Sequence, residues 1–278
     1  MTAPIRTRSW LFTPATRPER FAKASQAGAD VAILDLEDAV APGDKARART
    51  TALDYLTKNP SDGALHALRI NGLDTRAGIS DLDALLGSTA APDFLVLPKT
   101  ETVGHIEILD RLLTAAGKAT RLIGLIESAR GLAAVEAIAT ATPRLAGLML
   151  GAADMAADLG ATVAWEPLAF VRCRLIAACA LAGVVSVDSP YFDLHDEPGL
   201  KREVIGAVTF GFSAKAAIHP AQIGAINAAL TPSAEAVKRA RAILAENTKG
   251  VGTVDGQMID EAVARKARRT LFSAGLEA

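Results

Sequence analysis

Short runs that are apolar on both faces recur along the chain and alternate with longer, Ala-rich amphipathic segments. The runs cover Trp10–Thr13, Val31–Glu37, Leu65–Asn71, Phe94–Lys99, Arg121–Glu127, Leu145–Gly151, Val184–Ser189 and Ala214–His219. Helical periodicity fills the gaps, as in Glu19–Ala27, Lys45–Leu56, Val103–Ala116, Leu132–Ala139, Pro167–Ala182, Leu200–Gly211 and Gln222–Leu230. A strand that is apolar on both faces must be covered on both, which is the condition of parallel strands wrapped by helices. Eight such βα units before residue 230 predict a TIM-type (β/α)8 barrel, a fold of about 250 residues. A doubly wound open sheet is the alternative.

Beyond Leu230 the pattern changes. A helical segment from Ser233 to Asn247 is followed by a glycine-spaced stretch, Thr248 to Gln257, and a final helix from about Asp260 to Ala274. The chain therefore divides into a barrel, 1–230, and a helical extension, 231–278, placed to act as a lid or as an arm onto a neighbouring subunit.

Polar residues cluster at the ends of the strand patterns: Asp35-Leu36-Glu37-Asp38, Arg69-Ile70-Asn71, Pro98-Lys99, Glu127, Gly151-Ala152-Ala153-Asp154, Asp188-Ser189 and His219-Pro220. Barrels of this type carry their chemistry at the C-terminal ends of the strands. Glu127 and Asp154 follow two successive strands, so their carboxylates converge on one mouth and can share a divalent metal. For Asp35, Glu37 and Asp38 three roles suit the position: further ligands, carboxylates orienting metal-bound water, or partners for Arg69 and Lys99. Orienting water from behind the ligands fits Glu37 and Asp38 best. Lys99 reads as neutralising the acidic mouth, and Arg130 is given no role.

Composition narrows the field. The 278 residues are 50% hydrophobic and 22% charged, as in globular proteins, and the net charge of −1 offers no attraction to nucleic acid or an anionic membrane. No run of about 18 uncharged apolar residues predicts a membrane span, and the apolar run behind Arg6 and Arg8 breaks at Thr13-Pro14, too soon for a signal-peptide core. The cytoplasm is the expected location. Cys173 and Cys179, the only cysteines, fall in one apolar helical stretch and are expected to be small buried hydrophobes. Neither a Gly-x-Gly-x-x-Gly turn after the first strand nor a Walker-type loop occurs, which excludes the usual nucleotide-binding motifs.

Eight segments in order carry a family resemblance. They are Arg8-Ser9-Trp10-Leu11-Phe12-Thr13-Pro14-Ala15-Thr16-Arg17-Pro18-Glu19-Arg20-Phe21, Ile33-Leu34-Asp35-Leu36-Glu37-Asp38-Ala39-Val40, Leu68-Arg69-Ile70-Asn71, Leu97-Pro98-Lys99, Ile126-Glu127-Ser128-Ala129-Arg130-Gly131, Gly151-Ala152-Ala153-Asp154, Ile218-His219-Pro220 and Gly256-Gln257-Met258-Ile259-Asp260. Together they resemble the citrate lyase β-subunit-like branch of the HpcH/HpaI aldolase family. The resemblance implies a magnesium-dependent carbon–carbon lyase acting on acyl-CoA thioesters, a TIM barrel that assembles as homotrimers or hexamers. Carried onto this sequence, Glu127 and Asp154 match metal ligands and Arg69 the residue that holds the 2-oxo acid. Phe12, Arg17, Lys23, Ile218 and His219 match positions along the CoA groove. Asp260 matches an acid that protonates the thioester enolate from an adjacent subunit. Ala153 is a departure, since many relatives carry Glu there.

The resemblance implies cleavage of a citramalyl-, malyl- or citryl-CoA-like substrate into a 2-oxo acid and an acyl-CoA. Two other readings stay open: a β-subunit of a multi-subunit citrate lyase working on a carrier-protein thioester, and a metal-dependent aldolase acting on free hydroxy-oxo acids.

Overall fold

In the computed structural model, which describes residues 7–61, 63–247 and 252–276, eight parallel strands close into a barrel in sequence order. They are β1 (Ser9–Pro14), β2 (Val31–Asp35), β3 (Leu65–Arg69), β4 (Phe94–Leu97), β5 (Arg121–Ile126), β6 (Leu145–Leu150), β7 (Val185–Asp188) and β8 (Ala214–Ala217). Helices α1 (Phe21–Gln26), α2 (Lys45–Lys58), α3 (Arg76–Gly87), α4 (Val103–Ala115), α5 (Ala129–Ala133), α6 (Val135–Ala139), α7 (Ala152–Leu159), α8 (Ala169–Ala182), α9 (Glu197–Phe210) and α10 (Ile223–Leu230) intervene and close the outer layer. The TIM-type fold expected from the pattern is therefore present, and the open-sheet alternative is not.

Alternation along each strand sorts its side chains into two cores. Trp10, Val31, Ile33, Ala67, Phe94, Val96, Ile123, Leu125, Met149, Val187, Ala214 and Ala216 fill the barrel interior. Their neighbours Leu34, Leu68, Leu95, Leu122 and Leu148 pack outward against the helices. The period of two then carries the inward face upward: Phe12 follows Trp10, Asp35 follows Ile33, Arg69 follows Ala67, and Glu127 follows Leu125. Register pairs Asp35 directly with Arg69 across β2 and β3. Polar residues that continue an inward apolar series thus meet at the C-terminal mouth.

Asp188 is different, because it lies on the outward parity of β7. It is fully buried against the helix layer, where it pairs with Arg172 at 3.0 Å and with Lys215 at 2.7 Å. Its strand-end position marks a buried ion-pair network and not a mouth residue. Asp154, expected at a strand end, stands instead in the first turn of α7, where the helix dipole favours a carboxylate. Helices α3 and α7 occupy stretches in which the sequence singled out no helix. Only Cys179 is buried; Cys173 is exposed, since positions six apart on one helix lie about 120° apart and do not share a face.

The tail consists of α11 (Ala234–Asn247), an antiparallel hairpin of β9 (Gly252–Val254) and β10 (Gln257–Ile259), and α12 (Glu261–Ser273). The glycine-spaced connection is thus in part a β-hairpin, turning at Asp255 and Gly256 with positive φ; its residues 248–251, like residues 1–6, fall outside the described part. Ala240, Ile243, Ile259, Ala267 and Leu271 form an apolar cluster made wholly of tail residues. Among the described residues, no helix is long and apolar enough to cross a membrane.

Candidate active site at the barrel mouth

A cavity of about 380 Å³ opens at the C-terminal mouth, lined among others by Phe12, Asp35, Asp38, Arg69, Leu125, Glu127, Met149, Gly151, Ala153, Asp154 and Ile218. Arg69 is its most constrained member. Its Nε and Nη2 both donate to Asp35 at 2.7 Å, and its Nη1 stands 2.7 Å from Glu37 and 3.5 Å from Asp38. The Phe12 ring lies 4.7 Å from the guanidinium carbon, a cation–π contact that fixes the plane of the fork. Asp35 is therefore the bidentate partner of Arg69, one of the roles left open by the sequence.

Glu37 sits 8% exposed beside Arg69, and the close approach of its Oε2 lacks hydrogen-bond geometry. Burial pushes its carboxyl up to about 8; Arg69 opposes this, and the charges of Glu127, Asp38 and Asp35 reinforce it. Arg69 does not prevail because the cost of burying the charged carboxylate outweighs its attraction. A raised acid pKa means that the folded state holds the proton more tightly. The stabilising contribution is complete below about 4.5 and is lost as pH rises through about 8. Glu37→Gln is expected to flatten this alkaline loss of stability, as read from melting temperatures between about pH 5 and 9.

Glu127 is buried, and burial raises its pKa against the opposing pull of Lys99. The backbone N–H of Lys99 donates to its Oε1 at 2.7 Å. On the other side Gly151 allows the carboxylate to lie against the chain, for a Cβ there would fall 2.4 Å from Glu127 Oε2 and 2.5 Å from its Cβ. Gly151→Ala must therefore push Glu127 aside. Displacing a support of this kind is expected to weaken divalent-metal binding by about 10–100-fold, measurable by Mn²⁺ titration.

Glu127 and Asp154 do converge, and they do so on a cation. The Lys99 Nζ lies 3.4 Å from Glu127 Oε1 and 2.5 Å from Asp154 Oδ1. Burial disfavours the ammonium, but its hydrogen bond to Asp154 and the charges of Glu127, Asp154 and Glu37 outweigh this and raise its pKa. Five carboxyl groups (Asp35, Glu37, Asp38, Glu127, Asp154) face two cations, Arg69 and Lys99, leaving the mouth with surplus negative charge. Among the described residues no group of three or more His, Cys, Asp or Glu is arranged to hold a metal. Two carboxylates already sharing a cation, with an open cavity beside them, suit magnesium, which takes oxygen ligands and keeps several positions for water or substrate.

The remaining sequence candidates lie elsewhere. Arg17 and Lys23 are exposed on the β1–α1 side and line no part of the cavity. Ile218 lines the cavity. His219 does not; its Nδ1 accepts from the Ala221 N–H, capping a short 3-10 turn. Asp260 is the N-cap of α12, accepting from the Val263 N–H at 2.9 Å, and is exposed outside its own cavity. Gly151 and the Lys99 N–H were not singled out in the sequence, although the small residues before Asp154 are a signal of close approach.

Proteins of known identity match this chain over most of their length. L-malyl-CoA/beta-methylmalyl-CoA lyase of Rhodobacter capsulatus is 36% identical, over 95% of this chain and 94% of its own. RipC from Yersinia pestis is 58% identical with a TM-score of 0.74, covering 83% of this chain and 98% of that one. CitE from Mycobacterium tuberculosis, solved with magnesium, acetoacetate and coenzyme A, is 36% identical with a TM-score of 0.81, covering 97% and 98%. The profile of one family, HpcH/HpaI aldolase/citrate lyase, matches residues 8–220. With that span and this extent of identity, the chain belongs to the HpcH/HpaI aldolase/citrate lyase family.

Proposed function

We propose that the chain is a magnesium-dependent carbon–carbon lyase that cleaves a 3-hydroxyacyl-CoA of the citramalyl-, malyl- or citryl-CoA class into a 2-oxo acid and an acyl-CoA. The observation that carries this reading is the convergence of Glu127 and Asp154 on one cation position, in a cavity shared with the clamped Arg69. A relative named as a malyl-CoA lyase and a neighbour holding both magnesium and CoA support the substrate class.

Glu127 and Asp154 hold the metal, which when bound supplies a Lewis acid at the oxo-acid oxygens. Arg69, fixed by Asp35 and Phe12, presents its planar fork to the same end of the substrate, a preorganised donor needing no rearrangement during reaction. Behind that fork, Asp38 accepts from its Nη1 at 3.5 Å. Leu125, Met149 and Phe12 keep the cavity wall apolar, so charges inside it act more strongly than in water. As a base takes up the proton of the substrate hydroxyl, the hydroxyl oxygen forms the C=O bond and the carbon–carbon bond breaks. The bond's electrons enter the thioester enolate, and a proton delivered to the enolate carbon completes the acyl-CoA.

Asp260 delivers that proton from the tail of a neighbouring subunit, which makes a homo-oligomer, a trimer or hexamer, the working form. Its exposure away from its own cavity supports action in trans. Arg17 and Lys23, exposed and without an ion pair among the described residues, meet the CoA phosphates, while Phe12 and the Ile218-His219 segment border the groove. The test is 2-oxo acid release by purified protein with magnesium, across a panel of hydroxyacyl-CoA thioesters. Turnover of at least one is expected. Activity only on a carrier-protein thioester, or only on free hydroxy-oxo acids, would sink this reading in favour of the multi-subunit or aldolase alternative.

A further inference from the structure

The cation between Glu127 and Asp154 belongs to the chain itself, and its attachment is unusual. Lys99 has φ of +49°, in the left-handed region that side-chain-bearing residues seldom adopt. That backbone lets one residue grip both carboxylates, with its N–H on Glu127 Oε1 at 2.7 Å and its Nζ on Asp154 Oδ1 at 2.5 Å. The two grips are independent. The N–H belongs to the barrel rim, whereas the ammonium ends a flexible stem whose side chain is 38% exposed.

Resting on the metal-site reading above, we propose that Lys99 is a built-in counter-ion: its ammonium occupies the divalent-ion position in the metal-free protein, and metal binds by exchanging with it. The geometry supplies each requirement of an exchange. Without any cation, Glu127 and Asp154 would face one another as like charges in a partly buried site. With the ammonium there, the pair is held together and neutralised. When a divalent ion enters, the stem has an open route to solvent. Glu127 does not follow it, because the Lys99 N–H holds Oε1 and Gly151 lies against Oε2. The carboxylate positions are thus preserved across metal loading, and metal affinity is set by competition with a tethered charge.

The experiment compares full-length wild type, Lys99→Met and Lys99→Arg by Mn²⁺ titration without substrate and by thermal melting in chelator. Lys99→Met, a similar length without charge, should bind Mn²⁺ on the order of tenfold more tightly. Its metal-free form should also melt lower than wild type, because the two carboxylates lose their counter-ion. Lys99→Arg keeps a cation and should bind Mn²⁺ no more tightly than wild type. Unchanged or weaker binding by Lys99→Met overturns the exchange, with the metal site left standing. Tighter binding without the lower metal-free melting also overturns it, since a remote positive charge would act that way. If wild type binds no Mn²⁺ at all, the metal reading and the exchange fall together.

Discussion

Arg69→Ala is expected to lower turnover by about 10²–10³-fold and to destabilise the fold by about 3–5 kcal/mol. The two effects have separate origins in one geometry. Stability falls because Asp35 is 1% exposed and loses both of its 2.7 Å partners at once, leaving a buried carboxylate beside Glu37 with no opposing charge. Uncompensated buried charge costs more than the intact pair contributes, so the loss exceeds that of an ordinary surface pair. Turnover falls because the fork no longer meets the oxygen whose charge changes. Arg69→Lys separates the two: it returns a charge to Asp35 but not a planar bidentate fork, so stability should recover further than activity. Denaturant unfolding and the rate of oxo-acid release measure each part. An Arg69→Ala protein that unfolds like wild type would show that the Asp35 clamp does not hold the mouth.

Asp260→Asn should cost about 10²–10⁴ in rate with the tail still folded. Asparagine caps helices about as well as aspartate, so α12 keeps its acceptor for the Val263 N–H and the loss cannot be assigned to unfolding of the tail. Because Asp260 stands outside its own cavity, Asp260→Asn and Arg69→Ala should complement one another when co-expressed and assembled together. A mixed oligomer can unite an intact Arg69 site with an intact Asp260 tail from the next subunit. Full activity in Asp260→Asn would remove the tail from the chemistry; absence of complementation would remove the subunit boundary.

The barrel was legible because both-face apolar runs leave few alternatives, and the mouth because period-two alternation places Asp35, Arg69 and Glu127 on the inward face. That same rule distinguishes Asp188, whose outward parity sends it to Arg172 and Lys215. Other features were hidden for definite reasons. Asp154 follows a two-residue helical start, so strand parity says nothing about its direction. The Lys99 grip depends on a positive φ, which no residue pattern at Pro98-Lys99 announces. Gly151 matters through a single missing Cβ against Glu127, a contact that forms only once β5 and β6 are in register. The hairpin in the tail was obscured by glycines that also mark loops, until Asp255-Gly256 turned β9 onto β10.

In the proposed function, Glu127 and Asp154 form a divalent-ion platform for the oxo-acid half of the substrate. Crystals grown with Mn²⁺ and a 2-oxo acid test it through anomalous scattering. One strong peak bonded to both carboxylates is expected, with the oxo acid completing its coordination beside Arg69. A peak away from this pair, or bound oxo acid with no ion between Glu127 and Asp154, would contradict it.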